Sequence, residues 1–371
     1  ELTGMAAITM TPKAGAQGEL CGMMAIKQAL IFKKESHRKV VLVPDSAHGT
    51  NPATAAFLGF DVRTIKSTQE GLIDFEDFKE NIDEHFAGVM ITNPNTCGLF
   101  ESDIVKISEL THKSGGYLYC DGANFNAVVG KLKPGDLGID AMHINLHKTF
   151  STPHGGGGPG SGPVVFSKRL ENFCPTPLVK KINGKYDLIE NLDNKELSNS
   201  FGRLNVFHGQ MGMFVRAMSY MLSHGSDGLR QVAEDAVLNA NYLRESLSMH
   251  LTPAFQGYCM HEILFSDEFL SDTNVETLDF AKAMIDEGYH PMTIYFPLVI
   301  HGALLVEPTE TESKQSLDHF IETLKSLVAR VKNDSDSFKE APIFTPIRRL
   351  DETQAARKPI LRWREEVPAK A

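Results

Sequence analysis

The chain has 371 residues, of which 42% are hydrophobic and 23% charged, and its formal net charge is -10 at pH 7. This composition is typical of a globular protein with a large core, and the acidic balance argues against nucleic acid, which demands a basic face. No apolar stretch approaches the ~20 residues of a membrane span. The five cysteines lack CxxC spacing, so we expect neither a metal site nor a disulfide framework.

The first residues of this sequence show no signal-peptide pattern. It begins with Glu1 rather than Met, and no basic segment followed by an apolar segment marks a signal peptide. We expect that an N-terminal stretch of the protein precedes Glu1. The unpaired pattern of the cysteines fits a reducing compartment.

Up to Phe150, helical patterns alternate with short, uniformly apolar runs. Apolar residues at helical spacing predict helices over residues 19–34, 53–58 and 104–114. Short apolar runs predict strands over residues 40–43, 61–65, 89–92, 117–120 and 142–146. This alternation predicts an α/β fold with a mostly parallel sheet that is covered by helices on both faces.

The second half of the chain changes in pattern. Residues 181–200 are polar without a clear period and predict a surface excursion, before helical patterns over residues 211–222 and 229–249. Strands are then predicted over residues 259–265, 294–300 and 303–306, and a helix over 275–287. A second helix is predicted from the capping-box signature of Thr309 and Glu312 to about residue 331. We predict a large domain over residues 1–250, a smaller α/β domain over 251–333 and an irregular tail over 334–371.

An aspartate and a lysine follow two of the predicted strands. Asp121 closes the apolar run of residues 116–120, and Lys148 follows the run that ends at Leu146. Pyridoxal phosphate enzymes need both groups, because the lysine forms the Schiff base and the aspartate keeps the pyridinium nitrogen protonated. The pair predicts bound pyridoxal 5'-phosphate and a partly buried Lys148. An aspartate that only caps the following helix is the alternative.

Other residues near these strand ends are candidates for holding the cofactor. Gly15, Ala16 and Gln17 precede a helix, where backbone N–H groups favour a phosphate, although such a glycine pair is often only a turn. His48 follows the strand over residues 40–43 and is either a loop histidine or a ring that stacks on the cofactor and moves protons. We expect Thr96 to contribute a hydroxyl contact and Ala123 to lie under the ring as a small residue. We expect His147 to contact the phosphate or the substrate.

Several motifs extend over nearly the whole chain. They occupy residues 14–19, 43–52, 92–96, 121–124, 145–150, 153–163, 307–312 and 345–352. Together they resemble the P-protein of the glycine cleavage system, which is the pyridoxal-phosphate subunit of glycine decarboxylase, and the tail is similar to subunit 2 of its bacterial two-subunit form. The resemblance implies the aspartate-aminotransferase-like fold, fold type I. It also implies that Lys148 is linked to the cofactor, that Asp121 lies at the pyridinium nitrogen, and that His48 and Ala123 cover the two faces of the ring. Gly15, Ala16 and Gln17 would contact the phosphate.

The resemblance further implies the reaction and its partners. The activity would be glycine dehydrogenase (aminomethyl-transferring), in which glycine is decarboxylated and its aminomethyl group passes to the lipoyl arm of the H-protein. The glycine-rich loop over residues 155–160 would give that arm an approach without side chains. The implied partners are glycine, the lipoylated H-protein and P-protein subunit 1, in a heterotetramer of two subunit types. The expected location is the bacterial cytoplasm, or the mitochondrial matrix in a eukaryote.

The residues alone leave other functions open. The same pair of Asp121 and Lys148 serves an aminotransferase or a β-eliminating lyase, and a non-catalytic scaffold subunit is a third possibility. The presence of both residues argues against a scaffold, which has no use for either. The glycine run after Lys148 and the loop around His48 favour glycine decarboxylation.

Overall fold

A seven-stranded sheet forms the centre of the larger part of the chain in this computed structural model, which describes residues 1–154, 158–190 and 199–363. Its strands are β1 (Ala7–Thr9), β2 (Val40–Pro44), β3 (Asp61–Ile65), β4 (Phe86–Thr92), β5 (Tyr117–Gly122), β6 (Ala141–Ile144) and β7 (Val164–Phe166). They lie in the order β1-β7-β6-β5-β4-β2-β3. The five strands from β6 to β3 run parallel, and β7 and β1 pair antiparallel at one edge. The predicted mostly parallel sheet is confirmed.

The central strands are apolar because helices cover both faces of the sheet. Every residue of β2, β4 and β5 is buried. Successive side chains of a strand point to opposite faces. Val40 and Leu42 accordingly enter one hydrophobic cluster, while Val41 and Val43 enter another. The edge strand β3 is exposed at most of its residues, which marks the end of this double-sided core.

Six α-helices lie among the described residues of this part of the chain. They are α1 (Gly15–Phe32), α2 (Thr50–Phe57), α3 (Phe75–Glu80), α4 (Ile104–Lys113), α5 (Leu146–Thr149) and α6 (Met211–Leu247). α1 packs against β5, β6 and β7. α6 joins the two predicted helices across Gly225, whose φ of 64° and ψ of -172° are not helical. Within the described ranges no helix is long and apolar enough to cross a membrane.

A hairpin and a second sheet complete the fold. The strands of the hairpin are β8 (Leu178–Ile182) and β9 (Lys185–Ile189), and those of the second sheet are β10 (Thr252–Pro253), β11 (Ile263–Ser266), β12 (Thr293–Ile294) and β13 (Leu304–Val306). The second sheet has the order β10-β11-β13-β12 and is antiparallel throughout. Helices α7 (Thr277–Asp286) and α8 (Lys314–Val331) share a core with β11 and β13. The domain limits at residues 250 and 333 stay a prediction.

Several predicted elements differ from the structure. The strand predicted over residues 142–146 ends at Ile144, because the carbonyl of Asn145 accepts hydrogen bonds from the N–H groups of Lys148 and Thr149 and so starts the single turn of α5. The predicted surface excursion contains most of the β8–β9 hairpin, which begins at Leu178, and residues 191–198 lie outside the described residues. The strand predicted over residues 294–300 is reduced to β12. The short elements β1, β7, β10 and α3 were not predicted.

The last part of the chain also corrects two predictions. The helix predicted from Thr309 begins only at Lys314, because Thr309 has a left-handed φ of 58° and the hydroxyl of Ser313 is the group that caps the first turn. The tail is not wholly irregular, since it contains α9 (Ser335–Glu340) and α10 (Glu352–Arg357). Aspartate side chains cap both short helices.

Gly88 in β4 lies where the neighbouring strand leaves no room for a side chain. A Cβ at Gly88 would lie 2.2 Å from the carbonyl oxygen of Tyr117 in β5. We expect Gly88→Ala to lower the free energy of unfolding by about 1–3 kcal/mol, because the paired strands must shift. The measurement is the midpoint of thermal unfolding by circular dichroism. Gly212→Ala is the control, since a Cβ at Gly212 meets no described atom within 4 Å; equal midpoints for the two variants would contradict the prediction.

Candidate active site

A cavity of about 660 Å³ opens beyond the carboxyl ends of β4, β5 and β6. In open α/β sheets ligands gather at this edge, where strands end and helices begin. The start of α1, the turn α5 and residues next to the second sheet complete its wall. The predicted site residues that line the cavity are Gly15, Ala16, His48, Thr96, Asp121, Ala123, His147 and Lys148.

Asp121 is the second-last residue of the buried strand β5, and it lines the cavity. Its Oδ1 accepts a hydrogen bond from the N–H of Ala123 at 2.9 Å and lies 3.2 Å from Nε2 of His143. Its Oδ2 accepts a hydrogen bond from Nδ2 of Asn51 at 3.0 Å. Burial alone would raise the pKa of Asp121, but His143, Asn51 and the Ala123 N–H together hold it below its ordinary value. The carboxylate is therefore ionised at neutral pH.

His143 in β6 connects Asp121 to the core of the sheet. Its Nδ1 shares a hydrogen bond of 2.6 Å with the hydroxyl of Tyr119, and its Nε2 faces Asp121. Burial lowers the pKa of His143, so the ring is neutral, with Nε2–H directed at the carboxylate and Nδ1 accepting from the hydroxyl. No sequence pattern singled out this histidine. The available signal was register, because Asp121 and His143 are direct partners in the parallel pair β5–β6.

Glu19 in α1 is a second buried carboxyl group beside Asp121. Nδ2 of Asn51 donates to Oε2 of Glu19 and to Oδ2 of Asp121, both at 3.0 Å. Burial, reinforced by the negative charge of Asp121, raises the pKa of Glu19 to about 8. The two neighbouring carboxyl groups therefore differ in ionisation at neutral pH, and only Asp121 carries a charge.

Lys148 reaches the cavity from α5. The turn places the amine close enough to Asp121 for its positive charge to help lower the pKa of that carboxyl. The predicted partial burial of Lys148 is wrong for this chain, since the residue is exposed where α5 forms the rim of the cavity. The amine is accordingly open to a ligand that enters from solvent.

The start of α1 presents backbone N–H groups to the cavity. No side chain caps this helix, and Ala14, Gly15 and Ala16 lie on the wall. Gly15 lets the start of α1 lie close to the side chain of Asn145, because a Cβ at residue 15 would lie 2.6 Å from Oδ1 of Asn145. Uncapped N–H groups at a helix N-terminus attract anions such as phosphate.

Gln17 is the predicted site residue that does not line the cavity. Its Oε1 accepts a hydrogen bond from the N–H of Lys13 at 2.8 Å, and its Nε2 donates to Oδ1 of Asn205 at 3.0 Å. The side chain of Gln17 thus ties the start of α1 to the segment before α6. A direct contact between this side chain and a ligand stays a prediction.

His48 and Thr96 also line the cavity. The ring of His48 meets the ring of Phe296 edge-on at 5.7 Å between centroids, and its Nδ1 accepts a hydrogen bond of 3.2 Å from the N–H of Thr50. The hydroxyl of Thr96 donates to the carbonyl of Ser46. These contacts hold both residues at the cavity wall.

His147 pairs with His154 near the start of the glycine-rich loop. Their ring centroids lie 4.2 Å apart at an angle of 38°. Burial, reinforced by the charge of neighbouring His154 and Lys148, lowers the pKa of His147 to about 4. His147 is therefore neutral at pH 7. Of the predicted approach for the lipoyl arm, Gly155, Gly156 and Gly157 lie outside the described residues.

Two acidic residues next to the second sheet were not predicted as part of the site. Glu262 precedes β11 and Glu307 follows β13, and both line the cavity. Nδ2 of Asn124 donates to Oε1 of Glu262 at 3.3 Å, and Nδ2 of Asn126 donates to Oε1 of Glu307 at 3.0 Å. These pairs are 138 and 181 residues apart in the chain, so no local pattern could have found them.

Comparisons with known proteins define the class first. Residues 17–178 match the family described as "Aminotransferase class-V". The chain superposes on a crystal structure of glycine decarboxylase (P-protein) of the glycine cleavage system in inhibitor-bound form with a TM-score of 0.69 and 21% identity, over 88% of this chain and 72% of that one. For Lactobacillus brevis glutamate decarboxylase the TM-score is 0.66 at 14% identity, over 89% and 76% of the two chains. The chain has the fold of the pyridoxal-phosphate-dependent transferases, fold type I, as predicted.

Closer relatives define the family. Residues 232–342 match the family described as "Glycine dehydrogenase, C-terminal domain". A protein of Caulobacter vibrioides described as "Probable glycine dehydrogenase (decarboxylating) subunit 2" is 62% identical over 98% of this chain and 70% of its own length. A Kosmotoga olearia protein of the same description is 52% identical over 98% of this chain and 74% of its own. The chain belongs to the glycine dehydrogenase (decarboxylating) subunit 2 family, which confirms the predicted family.

The raised pKa of Glu19 predicts a pH-dependent stability. In the folded chain Glu19 keeps its proton up to about pH 8, whereas its ordinary pKa is 4.5. Between these values the folded state binds more protons than the unfolded state, so the free energy of unfolding falls as pH rises, by up to about 1.4 kcal/mol per pH unit. We expect Glu19→Gln to remove this component, so that the variant gains stability relative to the unsubstituted chain from about pH 5 to about pH 8.

The measurement is denaturant unfolding of both chains across that pH range. Glu84→Gln is the control, since the side chain of Glu84 is 84% exposed, and its difference from the unsubstituted chain should not change with pH in this way. A Glu19→Gln difference that is constant with pH would show that Glu19 does not hold its proton in the folded chain.

Proposed function

We propose that this chain is the pyridoxal-phosphate-binding subunit of a glycine dehydrogenase (decarboxylating), which decarboxylates glycine and transfers the aminomethyl group to the lipoyl arm of an H-protein. The observation that carries the proposal is that Asp121 and Lys148 line one cavity in a chain 62% identical to a relative described as subunit 2 of this enzyme. A charged carboxylate and an accessible amine on one wall are the two groups that the cofactor requires.

The residues of the cavity fit pyridoxal phosphate. Three buried polar atoms on the wall have no hydrogen-bond partner in the part of the chain that the structure describes: Oγ1 of Thr92, Oδ1 of Asn145 and Nδ1 of His154. Buried polar atoms without partners are costly, and a polar ligand would satisfy them. The ionised carboxylate, the amine and the uncapped helix N-terminus match a pyridinium nitrogen, an aldehyde and a phosphate group. Bound there, the cofactor supplies an electron sink for the pair released when a carbon–carbon bond breaks.

Each residue has a defined task in the proposed site. Lys148 holds the cofactor between turnovers, and its amine is otherwise free to take up or release a proton at Nζ. Asp121, kept ionised by His143, accepts a hydrogen bond from the pyridinium nitrogen. The N–H groups of Gly15 and Ala16 contact the phosphate.

The faces of the cofactor ring and the entrance are assigned to other residues. His48 covers one face and Ala123 the other. Thr96 contributes a hydroxyl contact, and Gln17 adds to the phosphate contacts at the start of α1. His147, which is neutral at pH 7 because burial lowers its pKa to about 4, donates a hydrogen bond to the phosphate or the substrate without repelling a cation.

The proposed reaction balances with the lipoyl disulfide as oxidant. The bond between the α-carbon and the carboxyl group of glycine breaks, and carbon dioxide leaves. The same carbon forms a bond to one lipoyl sulfur while the sulfur–sulfur bond breaks. The second sulfur takes up a proton and becomes a thiol.

The proposed partners follow from the same family. The subunit 2 description of the relatives supports assembly with a P-protein subunit 1, which we propose as a heterotetramer of two subunit types. The lipoylated H-protein brings the arm to the cavity. The described relatives are bacterial, and the five cysteines are free and buried, which supports action in the reducing bacterial cytoplasm.

Lys148→Ala tests the cofactor link. We expect the unsubstituted chain to develop an absorbance band near ~420 nm after addition of pyridoxal phosphate and to lose it on borohydride treatment, because the band reports the imine with lysine. Lys148→Ala should show no such band. Lys168→Ala is the control, since Lys168 is an exposed lysine paired with Glu171, and it should behave like the unsubstituted chain. Glycine decarboxylation by Lys148→Ala at the unsubstituted rate would refute the assignment.

Product analysis tests the reaction itself. The chain is combined with subunit 1 and given glycine together with either lipoylated H-protein or a keto acid. We expect release of carbon dioxide and a free thiol on the carrier only with the H-protein. Amino acid formed from the keto acid would instead identify an aminotransferase.

A further inference from the structure

Three side chains converge where the second sheet meets the cavity. Nε2 of His261 lies 3.9 Å from Oε2 of Glu262 and 3.8 Å from Oε1 of Glu307. One ligand atom from each residue falls within 4.8 Å of the others. These separations are too long for hydrogen bonds. They are instead the distances at which atoms surround a cation that each contacts at about 2.0–2.4 Å.

His261 supplies an independent sign of a missing ligand. It is wholly buried, and neither of its ring nitrogens has a hydrogen-bond partner among the residues that the structure describes. A buried imidazole without partners is costly. Its Nε2 lies between the two carboxyl groups, so a cation there would satisfy this nitrogen and an oxygen of each carboxyl group together.

Neighbouring amides orient the two carboxyl groups. Nδ2 of Asn124 is held by the carbonyl of Pro94 at 3.1 Å and donates to Oε1 of Glu262, which leaves Oε2 directed at His261. Nδ2 of Asn126 donates to Oε1 of Glu307. Partners of this kind fix the orientation of ligands in metal sites.

We propose that His261, Glu262 and Glu307 bind one divalent transition-metal cation at the edge of the candidate active-site cavity. One neutral imidazole and two carboxylates balance a charge of about +2 and suit Zn²⁺ or Mn²⁺, whereas Mg²⁺ prefers oxygen ligands alone. Glu262 and Glu307 line the cavity, so the cation contacts its interior. The cysteine spacing predicted no metal site, because this one arises from strand pairing: Ile263 of β11 lies opposite Val306 of β13, which brings residues 262 and 307 together.

Equilibrium dialysis tests the site. The full chain, loaded with pyridoxal phosphate and in parallel without it, is dialysed against Zn²⁺ or Mn²⁺, and bound metal is measured by elemental mass spectrometry. We expect about one cation per chain in both preparations. Glu262→Gln and Glu307→Gln should each weaken binding at least ~10-fold. Circular dichroism establishes that each variant is folded. We expect Glu307→Gln to disturb the fold less than Glu262→Gln, because the Glu307 side chain is 41% exposed.

A surface pair provides the control. Nδ1 of His301 lies 3.0 Å from Oδ2 of Asp267, and the His301 side chain is 94% exposed, so His301→Ala removes an imidazole next to a carboxylate outside the cluster and should leave metal binding unchanged. Fewer than ~0.1 cation per chain, or equal affinity in the unsubstituted chain and the folded glutamate variants, would overturn the proposal. The measurement uses neither glycine nor the lipoyl carrier, so its outcome is independent of the proposed reaction.

Discussion

The buried negative charge of Asp121 is the constraint on which the rest of the site depends. A carboxylate with 4% exposure is stable only if several donors surround it. These donors come from three separate elements: the ring of His143 in β6, the amide of Asn51 in α2 and the N–H of Ala123 in the turn after β5. The order and register of the strands bring these donors to Asp121. The same packing that forms the fold therefore stabilises the charge in the site.

Glu19, the second buried carboxyl group, stays neutral and so leaves Asp121 as the one charged acid of this pair. A charged Glu19 beside a charged Asp121 would place two anions on one amide hydrogen-bond donor, Asn51. Burial raises the pKa of Glu19 to about 8 and leaves it neutral, which spares Asp121 that repulsion. Of the two acids that Asn51 contacts, Asp121 near the end of β5 is ionised and Glu19 in α1 is not. The environment, rather than the residue type, assigns the roles.

The sequence allowed the mostly parallel sheet and the pair Asp121 and Lys148 to be predicted, because the ends of parallel strands share one edge and their apolar runs are easy to recognise. His143 escaped prediction because it reads as one more residue of a buried strand, and its role comes from register alone. Only the first residue of the turn that carries Lys148 was predicted as strand, because Leu146 extends the apolar run, whereas hydrogen bonds to the carbonyl of Asn145 end the strand before it. Glu262 lies far along the chain from its partner Asn124, and such contacts have no local signature.

The cavity belongs to both sheets, and Lys148 is the charge that they share. Its ammonium helps lower the pKa of Asp121 in the large sheet. Burial, reinforced by the charge of Glu307, raises the pKa of Glu262 well above its ordinary value, and the ammonium of Lys148 opposes that rise. Direct hydrogen bonds also join the two parts, from Asn124 to Glu262 and from Asn126 to Glu307. The charge of one amine therefore acts on carboxyl groups from both sheets, which a site built on the large sheet alone would not achieve.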